Sequence, residues 1–339
     1  MNLGIFCGVG LFAFTGLILL GDDAQAEDQD IHLLSLQVEN DLFFGDTDQD
    51  YTNGIRLAYV HHPGEKRLGA GINGFLRKNL PLARSGKNVD VYYSLALGQN
   101  MYTPEDISRS DLIVNDRPYA GWSYLEFGVT AQGRNDFELL KLDVGLVGPA
   151  SGAGFTQRQW HHLIGADQPN GWAHQLPNEP GLNLHYARGR RFVIDRVGSE
   201  RWSFDVTPHF GAALGNVYTY GAVGATLRVG TDLNRELGAP PRIQPSLPGS
   251  DYFSGEGFDF YLFAGGEARY VVRNIFLDGT WRSHEHDVAK ENAVLDLQVG
   301  AVFFWQDWRL AVTHVFRTKD HEFADGGHEY GSITLSHRF

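Results

Sequence analysis

Residues 39–59 hold the densest group of side chains able to do chemistry: Asn40, Asp41, Asp46, Asp48, Asp50 and Thr52 within a few residues of one another. Asp at the alternate positions 46, 48 and 50 matches the opening of a calcium loop, since a hard cation takes several carboxylate and carbonyl oxygens at once. The helix-loop-helix form of that loop is excluded, because Tyr51 stands where it needs Gly and Leu57 where it needs an acid. On these residues alone, a polar hairpin loop with solvated acids fits at least as well as a metal or catalytic site.

Two further clusters carry usable groups. One runs from Arg109 to Asp116-Arg117-Pro118-Tyr119-Ala120-Gly121-Trp122. The other is Gly148-Pro149-Ala150-Ser151-Gly152, followed by Gln157 and His161. The segment 156–164 reads as a short helix ended by Gly165. Gln157 and His161 then stand four residues apart on one helical face. Histidine suits general base chemistry near neutral pH. By spacing alone, though, His161 is one of 14 histidines and no better placed than His162.

The elements that must carry these clusters show a period of two. Leu34/Leu36/Val38 alternate with Ser35/Gln37/Glu39, Tyr93/Leu95/Leu97 with Ser94/Ala96/Gly98, and Leu140/Leu142/Val144 with Lys141/Asp143/Gly145. Each run is a strand with one apolar face and one polar or small face. A soluble sandwich has the same period. Full charges in the middle of the polar faces, as a wet lumen would hold, favour a transmembrane barrel, and the last strand ends on Phe339 as in bacterial outer-membrane barrels. Strands are expected near 31–40, 51–60, 91–100, 121–132, 136–147, 181–195, 201–214, 217–230, 258–280, 293–305, 308–317 and 329–339. The stretch 258–280 counts as one long protruding strand, because bacterial single-chain barrels have even strand numbers. The expected fold is therefore all-β, a twelve-stranded antiparallel transmembrane β-barrel with short helices in long loops. All three clusters then fall at the extracellular ends of the strands. The connections 61–90, with a short helix near 68–82, and 231–257, a proline-rich loop, fall on the periplasmic side.

Composition bounds the rest. Residues 1–26 read as a signal peptide, an apolar run to Leu20 and then Ala24-Gln25-Ala26, which leaves 27–339 as the outer-membrane β-barrel. Cleavage there removes Asp22, Asp23 and Cys7, so two acids leave the formal charge of −13 and it becomes −11. Disulfide and thiol chemistry are thereby excluded. No later stretch has the about 18 apolar residues a membrane helix needs. The acidic balance argues against nucleic acid as a partner.

The motifs Glu39-Asn40-Asp41, Thr47-Asp48, Tyr51-Thr52-Asn53-Gly54, 116–121, and Gly148-Pro149 with Gln157, His161 and Ile164-Gly165 resemble one known family, the outer-membrane lipid A 3'-O-deacylases. The motifs cover about a third of the chain, and their joint order and spacing carry the match. The resemblance implies a twelve-stranded barrel in the outer membrane of a Gram-negative bacterium, acting as a monomer with its active site at the extracellular side. It implies a calcium-dependent (Ca2+) hydrolase that removes the 3'-linked acyloxyacyl group of lipid A within lipopolysaccharide, among outer-membrane lipids. Carried over by position, His161 is the general base and Asn40, Asp41, Thr52 and Gln157 complete the catalytic set. Arg109 stands near the place of an expected lysine, which keeps the charge but not the shape. Arg109 and Arg117 could bind a lipid A phosphate, and for Arg117 a structural salt bridge to Asp116 or Asp41 is equally good. Asp41 and Asp48 are the metal ligands that their chemistry suggests, with the calcium supplying fixed positive charge for the oxyanion.

Two other functions compete. A barrel phospholipase needs a serine two residues after a catalytic histidine, and no such pair stands near Thr52. A non-catalytic outer-membrane barrel, pore or adhesin, with a calcium-binding acidic loop, satisfies alternation and composition equally.

Overall fold

The computed structural model describes residues 30–43, 50–62, 80–84, 89–196, 202–281 and 287–339. The signal peptide, Asp48 and most of the expected helix near 68–82 lie outside these residues. Strands β1 (Ile31–Asn40), β2 (Asp50–His62), β3 (Asp90–Thr103), β4 (Ala120–Gln132), β5 (Asp136–Val147) and β6 (Glu179–Arg190) follow one another around the wall. After β7 (Phe192–Arg196) come β8 (Ser203–Gly215), β9 (Tyr218–Gly230), β10 (Phe258–Asn274), β11 (Ala293–Trp305), β12 (Trp308–Arg317) and β13 (His328–Arg338). Each pairs antiparallel with its neighbour, and β1 pairs with β13. Both β6 and β7 pair with β8, so they are two parts of one stave broken at Arg191. The result is a closed antiparallel barrel of twelve staves, as the alternation predicts. Among the described residues, no helix is long and apolar enough to cross a membrane.

The wall is apolar outside and charged inside. Leu97 and Val223 are 59% and 63% exposed on the outer face, while Arg56 and Arg228 on the inner face are 2% and 1% exposed. This inversion suits a barrel whose outer solvent is lipid, because each strand meets hydrocarbon on one side and polar groups on the other. The inner charges pair as forks, a geometry that matches guanidinium to carboxylate. Arg228 binds Asp205 at 3.0 and 2.6 Å, and Arg317 binds Asp296 at 2.7 Å through both Nε and a terminal nitrogen.

The lumen is not a wet channel. The connection 231–257, expected as a periplasmic loop, turns inward and fills it. Its Asp251 takes a fork from Arg56 of β2 at 2.9 and 2.8 Å, and Arg56 also reaches Glu126 of β4 at 2.6 Å. Its Glu236 accepts from Arg309 of β12 at 2.6 Å. Near its tip, Pro241 O accepts from Gln37, Ile243 N donates to Glu39, and Tyr220 donates to Gln244. Proline explains the lack of strand here, since it cannot donate to a ladder. The many carboxylates and guanidiniums facing inward need partners once desolvated, and this segment supplies them.

The stretch 258–280 also differs from its expectation. It leaves the sheet at Asn274, whose side chain accepts from Phe276 N at 3.2 Å and caps a short helix, Ile275–Asp278.

Candidate functional site

The upper rim, where β1 ends and β2 begins, gathers the three motif clusters. Asn40 closes β1, directly opposite Asn53 on β2 and Gly331 on β13. Asp41 opens the 3-10 turn Asp41–Phe43 and is buried. Thr52 is the extra residue of a bulge between Tyr51 and Asn53, and a bulge re-aims the side chain that it carries. Its backbone oxygen accepts from Asn40 Nδ2 at 2.9 Å, and its hydroxyl shares a 2.6 Å hydrogen bond with that of Thr103 on β3. Asn40, Thr52 and Thr103 thus form one hydrogen-bonded group, with Asp41 adjoining.

The second group hangs from helix α1, Ala153–Ile164, which begins three residues earlier than the sequence pattern suggests. Two glycines of the motifs explain its placement. Gly148 has φ of 92°, and a Cβ there would meet Leu176 O and Pro177 C at 2.7 Å. Gly121 lets the helix start approach β4, since a Cβ on it would meet Ser151 Oγ at 2.2 Å and Ala153 Cβ at 2.3 Å. Gly152 enters the helix in the left-handed region and Gly165 leaves it the same way, an ordinary glycine stop. The buried face carries Ala153, Gly154, Gln157 and His161, so Gln157 and His161 do share a face, turned toward the barrel.

Each has a partner that orients it. Gln157 Oε1 accepts from Trp172 Nε1 at 2.7 Å, and Trp172 packs on Tyr119 with ring centroids 5.1 Å apart. His161 is 3% exposed, and its Nδ1 lies 2.5 Å from the backbone oxygen of Asp167. A carbonyl can only accept, so Nδ1 carries a proton, and in the neutral form of the ring the lone pair is then on Nε2. Met101 joins the two groups: it packs with Tyr119, Ala153 and Trp172, two residues from the Thr103 that binds Thr52.

The two arginines part company. Arg109 lies on the exposed loop, with hydrogen bonds of 3.1 and 2.5 Å to Asp111. Arg117 is buried, donates to Asp320 at 2.6 Å and lies 5.9 Å above the Tyr102 ring. Asp320 belongs to the β12–β13 connection, so Arg117 joins two loops across the mouth. Trp172, Thr103 and Asp167 carry no motif. Trp172 stands 15 residues beyond Gln157, and only its aromatic character in a polar loop marked it.

The donor set at the end of β1, the Asp41 carboxylate and the Asn40 amide oxygen, is all oxygen and suits a hard cation such as calcium in kind.

A solved structure of LpxR from Salmonella typhimurium is similar to this chain at 21% identity and a TM-score of 0.73, covering 90% of this chain and 99% of that one. The β domain of the Bordetella autotransporter BrkA covers 91% of this chain at 10% identity, with a TM-score of 0.41. The translocator domain of NalP from Neisseria meningitidis covers 91% at the same identity, with a TM-score of 0.40. No curated protein matches the sequence. The family model described as outer membrane protein LpxR matches residues 11–339, nearly the whole length, and the chain belongs to that family of outer-membrane barrels.

Proposed function

We propose that this barrel is an ester hydrolase that removes the 3'-linked acyloxyacyl group of lipid A, working at the extracellular face as a monomer. The observation that carries this reading is the state of His161: buried on a helix face shared with Gln157, with its ring oriented through Nδ1 by the Asp167 carbonyl. Nε2 is then the atom that takes a proton from water as the water oxygen adds to the ester carbonyl. The same nitrogen returns the proton to the departing sugar oxygen. Gln157, aligned by the Trp172 indole, orients the water or the acyl group. Asn40 and Asp41, with Asp48, would hold calcium, which when bound polarises the carbonyl and stabilises the oxyanion as a Lewis acid. Thr52 fixes the strand bulge beneath that corner through Thr103. Arg109, on the exposed loop, is the arginine we assign to a lipid A phosphate, and Arg117 is assigned to holding the loops. Exposed Phe155 and Leu163 on the outer face of α1 give the site an apolar flank suited to acyl chains.

An open pore needs a lumen filled with water, and residues 231–257 occupying the lumen favour the enzyme over that alternative. Mass spectrometry of lipid A from Gram-negative cells expressing the protein tests the proposal, with His161→Ala in parallel and calcium present or chelated. The expected result is loss of one acyloxyacyl unit with the wild type alone, abolished by chelation. Unchanged lipid A from correctly inserted wild type would overturn it.

A further inference from the structure

At the lower rim, where β1 begins and β13 ends, stands a second group of ligating side chains that the proposed hydrolysis does not use. We propose that Asp30, His32 and His61 bind a divalent transition metal of the zinc class there, on the outer wall. One ligand atom from each residue lies within 4.8 Å of the others, the only such group of three acids or histidines among the described residues. The sheet builds this arrangement. His32 of β1 is directly opposite His61 of β2 in the antiparallel register, and their rings are parallel within 2° at 4.8 Å. Both occupy the outward-facing phase of their strands, in line with Leu34 and Leu36 on one and Leu57 and Tyr59 on the other.

Two details point to a metal in preference to chance proximity. His32 is oriented from outside the site: Tyr59 OH lies 2.5 Å from its Nδ1, which leaves Nε2 as the coordinating atom, just as the far nitrogen of a metal-bound histidine is commonly held by a hydrogen bond. His61 Nε2 is covered, yet it has no hydrogen-bond partner among the described residues, and Asp30 Oδ1 is 4.0 Å away. That separation is too long for a hydrogen bond and too short to hold another residue, but an ion can bridge it. Tetrahedral zinc with bonds of about 2.0–2.1 Å needs ligand atoms about 3.3 Å apart, which a small rotation of half-exposed side chains reaches. Two imidazoles and one carboxylate, with water in the fourth place, form a set for zinc, nickel or copper and not for calcium, which takes oxygen. The ion would clasp β1 to β2 beside the closing seam, where His32 and Phe339 exchange backbone hydrogen bonds of 3.2 and 2.9 Å.

The test is titration of the full-length barrel in detergent with Zn2+ by calorimetry and with Co2+ by visible absorption. One ion per chain at micromolar affinity is expected, with a Co2+ spectrum showing imidazole ligation. Both signals should vanish in His61→Ala and in Asp30→Asn, a change outside the strands that leaves the wall intact. Tyr59→Phe should weaken binding about 10-fold. Deacylation of lipid A by His61→Ala should equal that of the wild type. Absence of binding by the wild type, or binding unchanged in both His61→Ala and Asp30→Asn, would overturn the proposal.

Discussion

Two long connections leave this barrel without adding strands to it, and they are held in opposite ways. Residues 231–257 enter the lumen and are gripped by charge: Arg56 on Asp251, Arg309 on Glu236, Glu39 on Ile243 N. Residues 148–178 fold over the upper rim and are held by close backbone approach and aromatic packing, with Gly148 against Pro177 and Trp172 against Tyr119. In the first, Arg235, Glu236, Arg242 and Asp251 each meet a group of opposite sign. In the second, the partners that orient Gln157 and His161 include an indole N–H and a backbone carbonyl. The first pattern fixes a segment in place by charge, whereas the second sets the orientation of an amide and an imidazole.

The largest way to break that contrast is at His161. His161→Ala should lower deacylation by about 10²- to 10⁴-fold, the usual worth of a general base. Heat-modifiable gel mobility should show an intact barrel. In the lumen the reverse should hold. Arg56→Met removes the fork from Asp251 and Glu126 and should cost about 3–5 kcal/mol, as breaking a buried ion pair does. Thermal unfolding in detergent measures this, and activity per folded molecule should survive.

A third expectation concerns acid. Burial alone would raise the Asp251 carboxyl, but Arg56 and then Lys141 outweigh it and hold it well below the ordinary carboxylate range. With the folded-state value depressed, the unfolded chain binds the proton more readily. The stabilisation is therefore full above the unfolded value of about 4 and lost as pH falls through the folded one. Thermal transitions measured from pH 7 to pH 3 should fall only at the acid end, and Asp251→Asn should flatten that fall. Trp172→Phe should sharpen the other side of the contrast: without the indole donor, kcat drops about 10-fold, and the loss of that bond to the buried Gln157 oxygen costs about 1–3 kcal/mol of local stability. Smallest is Arg109→Ala. Its ion pair with Asp111 is exposed, so stability should not move. KM should rise a few-fold for phosphorylated lipid A and stay constant for the dephosphorylated form.

The wall was legible because alternation is local: in β1, Leu34, Leu36 and Val38 face outward and Ser35, Gln37 and Glu39 inward, as their types alone suggest. Of the candidate site at the upper rim, the helix face was legible, since Gln157 and His161 stand four apart before a glycine stop. The position of 231–257 was not. Pro240, Pro241, Pro245 and Pro248 say that no strand forms, but its partners lie far away, Arg56 being 195 residues from Asp251. No local pattern encodes such a pairing. The early end of β10 was written in Asn274 and Asp278, a cap and its reciprocal acceptor hidden inside an apolar run. Trp172 escaped because one indole hydrogen bond leaves no periodicity.

The filled lumen has a consequence for the membrane that contains the barrel. A wall of twelve staves normally costs a cell some osmotic integrity, because ions and small toxins pass through whatever it encloses. Here arginines of β2 and β12 close on one internal segment, so the barrel should be electrically silent in a planar bilayer. A cell could then carry many copies at its surface without conductance or leakage.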